Sequence, residues 1–300
     1  MCLPPSPPAD ASDDETWPPA AGADRRGAAR PAAPDVRLWL IGDVHACAAE
    51  LEMLLERLRP GPADRVIFLG DLVDRGPDAP RVFDLARAAR GELVLGNHED
   101  KLLRWRDGRP GAHGVAVRLA PHHRRTLEAL RPSDWATMES ARPWIEVPEG
   151  APGWAGPGPL LVVHAGVRPG LPLEQQDAYD VCRLQCIGPS GRRRKLGTPG
   201  AYFWAERCDY PGWVVYGHTI FPEPLRIGRT LGLDTGCCFG GRLSALELPA
   251  GRIHQAAAAR DYAWELVQQF YPLRAEAVRR RRAGSGPGGR PAAGIGRSFG

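Results

Sequence analysis

The chain has 300 residues, 43% of them hydrophobic, and 39 Lys and Arg against 35 Asp and Glu, for a formal charge of +4. That length allows two domains, yet a single patterned block is visible, and no stretch is apolar enough to span a bilayer. The positive charge collects at one end: residues 271–300 hold seven Arg against Glu276, residues 1–35 hold three Arg against six acids, and the middle is close to neutral.

Residues 1–35 are rich in Pro, Ala and Asp, with little beyond Trp17 to bury, so ordering them would not be repaid. They are expected to be a disordered extension. The start has neither a basic segment nor an apolar run of signal-peptide length, which points to the cytoplasm.

From residue 36 the pattern changes. RLWLIG, RVIFLG and ELVLG are apolar runs closed by Gly, and AELEMLLERL and PRVFDLARAAR between them have helical periodicity. This is a βαβαβ pattern with a mostly parallel sheet, whose right-handed crossovers put the three strand ends along one edge. Each run ends in a polar knot: Asp43-Val44-His45, Asp71-Leu72-Val73-Asp74-Arg75-Gly76 and Asn97-His98-Glu99. Any one knot could be a helix N-cap or a loop hydrogen-bonding device, and Asp78 is assigned to that capping role. Recurrence at three successive strand ends favours chemistry. Oxygen and imidazole donors without thiolates suit Mn, Fe or Zn. Asp43 and His45 could chelate one ion and Asp71 could bridge to a second, the usual clamp for displacement at phosphorus.

Past Lys101 the chain is expected to be helical over 101–108 and 122–141, ending at Pro143 and forming a cap (about residues 98–142) over the metal face. After a loop at 150–159, LLVV climbs to His164-Ala165-Gly166. An irregular, charged insertion from Arg168 to Gly200 follows. WVVYG then ends at His218-Thr219, and strands are expected at RTLGLD and RLSALEL. The two added His supply the imidazoles that a second ion lacks. Cys182, Cys186 and Cys208 lack the paired spacing of a zinc site and read as buried or incidental thiols. Cys237 and Cys238 read as small core residues. The block is one domain over 36–270, and residues 271–300 are a basic, mostly disordered tail that favours polyanions and gives a possible route to nucleic acid.

Gly42-Asp43-Val44-His45, Gly70-Asp71-Leu72-Val73-Asp74-Arg75-Gly76, Gly96-Asn97-His98-Glu99, His164-Ala165-Gly166 and Gly217-His218-Thr219, in that order over residues 38–250, resemble the calcineurin-like metallophosphoesterases in their phosphoprotein phosphatase branch. GNHEDKLLR, YFWAERCDYPGWVVYGHT and LDTGCCFGGRLSALELP resemble two bacterial groups more narrowly: diadenosine tetraphosphatases of the PrpE type, and the phosphatase domain of polynucleotide kinase-phosphatase.

The resemblance implies an α/β fold, an αββα sandwich with mixed sheets and a dinuclear metal site at the C-terminal ends of the strands. It implies two divalent transition-metal ions, Mn ahead of Fe, Zn or Ni. Asp43, His45 and Asp71 would hold one; Asp71, Asn97, His164 and His218 would hold the other. His98 would be the proton donor, oriented by Asp74, and Arg75 the phosphate clamp. Asp234 would line the site, and Arg207 is the counterpart considered for a second phosphate-binding Arg. The family's Gly after the first His is replaced by Ala46, at a cost on the order of 1 kcal/mol if the backbone there has positive φ. The implied activity is phosphohydrolysis by a metal-bridging hydroxide on a phosphorylated small-molecule, nucleotide or protein substrate. Diadenosine tetraphosphate and phosphoserine or phosphothreonine lead, RNA 2',3'-phosphate ends are the alternative, and a silent phosphate- or nucleic-acid-binding module is the competing class. No membrane role is implied.

Overall fold

The computed structural model describes residues 36–111 and 114–270. The expected disordered extension and basic tail, 1–35 and 271–300, lie outside the described residues. Strands β1 (Leu38–Ile41), β2 (Arg65–Phe68) and β3 (Glu92–Leu93) run parallel, linked by α1 (Ala48–Leu58) and α2 (Ala79–Ala88). Asp78 caps α2 as expected, its Oδ1 accepting from Arg81 N at 3.0 Å. The third run is shorter than its apolar length suggests. Val94 makes only an isolated bridge to Arg142, and the chain then turns into α3 (Asn97–Arg106).

On the other side of β1 lie β12 (Arg242–Leu248), antiparallel to β1, and β13 (Arg252–Ala257), antiparallel to β12, completing a five-stranded sheet. A second sheet holds β4 (Trp144–Val147), β5 (Leu160–Val163), β9 (Trp213–Tyr216), β10 (Leu225–Ile227) and β11 (Thr230–Gly232) in the order β10-β11-β9-β5-β4, with β11, β9 and β5 parallel. Strand alternation decides which core each residue enters. Leu38 and Leu40 point between the sheets, against Val162, Val215, Leu231 and Leu246. Trp39 and Ile41 point outward to Leu51, Leu54, Val82 and Phe83 of the helices.

The segment expected to be an irregular insertion covers the outer face of the second sheet. It contains α6 (Ala178–Val181) and a small antiparallel sheet of β6 (Cys186–Ile187), β7 (Arg193–Arg194) and β8 (Tyr202–Phe203). Phe203, Trp204, Val181 and Leu184 pack there on Leu161, Val163, Val214 and Tyr216. The αββα sandwich therefore has one full helical layer and one thin layer. The helical run expected over 122–141 is two helices, α4 (Pro121–Ala129) and α5 (Pro132–Glu139). Pro132 lacks an N–H and pushes Arg131 to an extended φ −95, ψ 161, which ends one helix and opens the next. Both pack against α2, and α7 (Tyr262–Phe270) against α4. Among the described residues no helix is long and apolar enough to cross a membrane.

Candidate active site

The C-terminal ends of β1, β2, β5 and β9 meet at one edge of the sandwich. Direct bonds fasten the two sheets there: His164 Nδ1 lies 2.7 Å from Leu69 O and His218 N donates to Asp43 Oδ1 at 3.1 Å, while within the second sheet Gly217 N donates to His164 O at 2.8 Å. The approach is so close that a Cβ on Gly217 would overlap Asp43 Oδ1, and one on Gly96 would strike Asp71 and Glu99.

The backbone is strained at this edge. His45, Ala46, Asp71, Asp74, Arg75 and His218 all have φ between 49 and 70, a conformation costing about 1–3 kcal/mol per residue unless its surroundings enforce it. Enforcement comes from His45 N and Ala46 N, which donate to Asp71 O and Leu72 O at 2.7 Å each, and from Gly76 N, which donates to His45 O at 2.8 Å. Ala46 adopts φ 56 and is buried, so the Ala replacing the family's Gly does sit in a left-handed position.

Asp71 is the hub. Its Oδ2 lies 3.5 Å from Nε2 of both His45 and His164, and 4.0 Å from Nε2 of His98. Its Oδ1 accepts from His98 N at 2.9 Å. Asp71 belongs to two clusters of mutually close ligand atoms, one with His45 and His98 and the other with His164 and His218. Asn97 Oδ1 lies 3.1 Å from His164 Nε2. His45 Nδ1 and His164 Nδ1 both face backbone carbonyls, of Val73 at 3.1 Å and Leu69 at 2.7 Å, so those nitrogens carry the hydrogens. In the neutral rings the Nε2 lone pairs then face the centre.

Burial and unbalanced charge pull these groups apart in pKa. Burial raises Asp71, but the imidazoles of His164, His98 and His45 outweigh it and hold the carboxyl well below its usual range. Burial would lower His164, yet the Asp71 and Asp43 carboxylates push it up to about 10. Burial, then Arg75, drives His45 well down; burial, then His164, does the same to His218. Asp43 is raised by burial and by Asp234, itself pushed up to about 6 by burial. Three buried carboxylates with imidazole and amide donors and no sulfur fit two divalent ions of the Mn, Fe or Zn type, whose charge would replace the proton on His164.

Contacts from Asp74 and α4 fix His98. Its Nδ1 lies 2.8 Å from Asp74 Oδ2, and Asp74 Oδ1 accepts from Thr126 Oγ1 at 2.7 Å. His123 Nε2 stands 3.6 Å from the same carboxylate, and burial holds that ring down at about 3, so it is neutral. Thr126 and His123 come from α4, the part of the expected cap that reaches the site. Glu99, quoted in the third knot without a role, accepts from Asp71 N at 2.8 Å, Leu72 N at 2.7 Å and Val73 N at 3.1 Å. It clamps the strained loop from beneath.

Two arginines approach the hub. Arg75 Nη1 donates to His45 Nε2 at 2.7 Å, with its guanidinium 5.1 Å from the Phe239 ring. Arg183 Nη2 lies 3.4 Å from Asn97 O and pairs with Asp100 Oδ2 at 2.6 Å, its guanidinium 3.9 Å over the Tyr179 ring. Arg207, by contrast, is exposed and stacked 4.0 Å over Tyr202, beside a cavity of about 380 Å³ also lined by Ile187 and Pro189. Sequence reasoning passed over Arg183 because it stands in the segment expected to be irregular.

The calcineurin-like phosphoesterase family matches residues 36–224. A Geobacillus thermodenitrificans protein named bis(5'-nucleosyl)-tetraphosphatase PrpE [asymmetrical] is 35% identical over 227 residues, which cover 70% of this chain and 89% of the relative. Its namesake in Anoxybacillus flavithermus is 30% identical, covering 77% and 98%. A solved structure described as a candidate diadenosine tetraphosphatase superposes with TM-score 0.62 at 26% identity, covering 75% of this chain and 95% of that one. A Saccharomyces cerevisiae protein serine/threonine phosphatase shares the fold, at TM-score 0.52 and 16% identity over 77% and 82%. With the family match over residues 36–224 spanning more than half its length, and with two Asp71-centred donor clusters at its strand ends, the chain belongs to the calcineurin-like phosphoesterase family and is a metal-dependent phosphohydrolase.

Proposed function

We propose that the chain hydrolyses dinucleoside tetraphosphates asymmetrically, in the cytoplasm, with two divalent ions, Mn first. Asp43, His45 and Asp71 would hold one ion, and Asp71, Asn97, His164 and His218 the other. The observation that carries this is Asp71 Oδ2, 3.5 Å from Nε2 of both His45 and His164. Bound ions supply Lewis-acid charge and an activated water near neutral pH. The chain's own groups do the rest. Arg75 moves its Nη1 from His45 to a phosphoryl oxygen, and Arg183, already braced by Asp100 and Tyr179, grips a second. His98, its Nδ1 committed to Asp74, presents Nε2 to the leaving oxygen and delivers the proton.

Two facts support a polyphosphate substrate. The relatives at 30–35% identity carry the tetraphosphatase name. Positive charge also continues outward from Arg183, because Arg104 and Arg193 stack with it on Tyr179 at 5.0 and 5.1 Å, and Arg192 and Lys195 follow. The cytoplasmic assignment is in keeping with the six described cysteines, none of which is joined in a disulfide.

The test offers diadenosine tetraphosphate, a phosphothreonine peptide and a 2',3'-cyclic nucleotide to the Mn-loaded protein and separates the products. Equal ATP and AMP from the dinucleotide, with the highest kcat/KM of the three, is expected. ADP as sole product, or faster turnover of the peptide or cyclic nucleotide, would overturn the substrate assignment.

A further inference from the structure

Beside the loop that carries Asp43 and His45, three buried groups converge that the reaction does not use. Cys47, Glu50 and Cys237 each offer one ligand atom, two thiol sulfurs and a carboxylate oxygen, all within 4.8 Å of one another. Their exposures are 0%, 0% and 2%. Cys47 immediately precedes α1 and Glu50 stands three positions on, so one helical turn brings them to the same side. Cys237 arrives from the opposite end of the chain, following the left-handed Gly236 and three residues past Asp234.

The Glu50 carboxylate is half used. Its Oε1 accepts from Ala259 N at 2.9 Å and Tyr262 Oη at 2.8 Å, whereas the buried Oε2 has no hydrogen-bond partner. Leaving a buried acceptor unsatisfied costs about 1–3 kcal/mol, more if it is charged, and buried carboxylates escape that cost by pairing or by coordinating metal. The neighbours on offer are the two sulfurs.

We infer that Cys47 Sγ, Cys237 Sγ and a Glu50 carboxylate oxygen form a separate binding site for a thiophilic divalent ion such as zinc. Tetrahedral zinc with sulfur at about 2.3 Å and oxygen at about 2.0–2.2 Å sets its ligand atoms roughly 3.5–3.8 Å apart. A cluster already within 4.8 Å therefore needs to contract by no more than about 1.0–1.3 Å. Water completes the fourth position, and binding releases the two thiol protons to solvent. The catalytic ring contains no sulfur, so the two sites differ in softness and would sort zinc from manganese. The ion would tie the loop bearing Asp43 and His45 to the turn that follows Asp234, bracing two walls of the active site from behind.

Cobalt(II) distinguishes this site from the catalytic pair, because only a thiolate ligand gives a near-ultraviolet sulfur-to-cobalt charge-transfer band. The full-length, metal-free protein loaded with cobalt should show that band. Cys47→Ser and Cys237→Ser should lose it, while Cys182→Ser and Asp71→Asn should retain it. No band in the wild-type protein, or a band that survives in both Cys47→Ser and Cys237→Ser, would overturn the inference. Should a Ser variant fail to fold, X-ray absorption on wild-type protein carrying one equivalent of zinc decides alone: sulfur at about 2.3 Å supports the site, and a shell of only nitrogen and oxygen overturns it. A Cys47–Cys237 disulfide in protein isolated without reductant would also overturn it.

Discussion

Nδ1 of His98 lies 2.8 Å from Oδ2 of Asp74, with both side chains buried and the other ring nitrogen turned toward Asp71 at 4.0 Å. Burial alone would raise the Asp74 carboxyl, but its bond to His98, the charges around it and Thr126 hold it well below the usual range, so it stays ionised beside the ring. The contact fixes the ring and leaves Nε2 pointing into the site, where the proposed mechanism puts the leaving group. His98→Ala should keep its metal content yet lose about 10²-fold or more in kcat on a ribose or alkyl ester, and little on p-nitrophenyl phosphate. Asp74→Asn should show the same pattern more weakly. Rates across a leaving-group series, with elemental analysis, check both; a missing ion in His98→Ala would move His98 into the coordination shell.

Thr126 is a positioning residue one step further out. Thr126→Val deletes the 2.7 Å bond to Asp74 Oδ1 while keeping the shape. Stability should fall by about 1 kcal/mol. The kcat for poor leaving groups should fall several-fold, with KM unchanged. An equal loss on p-nitrophenyl phosphate would mean that Thr126 acts through packing and not through His98.

Much of this site was legible because the chemistry-bearing residues directly follow apolar runs. Asp43, Asp71 and Asn97 close three such runs on β1, β2 and beyond β3, and parallel crossovers force those ends together. Contacts made by tertiary packing were not legible. Thr126 and His123 sit on a helix whose periodicity reports a buried face without saying what it covers, and Arg183 lies where two-residue strands leave no periodic signal. The fold shows the same divide: β13 buries only Ala256 well and so carries too little alternation to announce itself.

Glu99 tests how much the strained loop depends on one carboxylate. It accepts three backbone N–H groups, from Asp71, Leu72 and Val73, and is fully buried. Glu99→Gln puts an NH2 group against at least one of those donors. The expected cost is about 2–4 kcal/mol, a drop of roughly 4–16 °C in Tm for a domain of this size. Thermal denaturation of chelator-treated protein measures it without the contribution of bound ions.

Asp71 and Asp43 should differ in what their loss removes. Asp71 Oδ2 faces imidazoles of both clusters, whereas Asp43 is held beside Asp234 and the His218 backbone. Asp71→Asn should therefore lower total metal content more than Asp43→Asn. Elemental analysis after equilibration with excess Mn decides it, and full occupancy in Asp71→Asn would remove Asp71 from the bridging position.

The two candidate phosphate-gripping arginines make opposite predictions. Arg183 is 3.4 Å from Asn97 O and is held in place by Asp100 and the Tyr179 ring, so little side-chain entropy is left to lose when it meets an oxyanion. Arg207 is exposed and stacked on Tyr202. A charge-assisted contact removed from the transition state costs about 1.5–3 kcal/mol, so Arg183→Ala should lose roughly 10- to 200-fold in kcat/KM on diadenosine tetraphosphate. Arg183→Lys keeps the charge but not the fork and should recover only part of it. Neither change should unfold the protein, because Arg104 still pairs with the Asp100 carboxylate at 2.8 Å. Arg207→Ala should stay within about twofold of wild type, since a contact worth less than about 0.4 kcal/mol changes the rate by less than that. A loss at Arg207 equal to that at Arg183 would instead place the outer cavity on the path of the substrate.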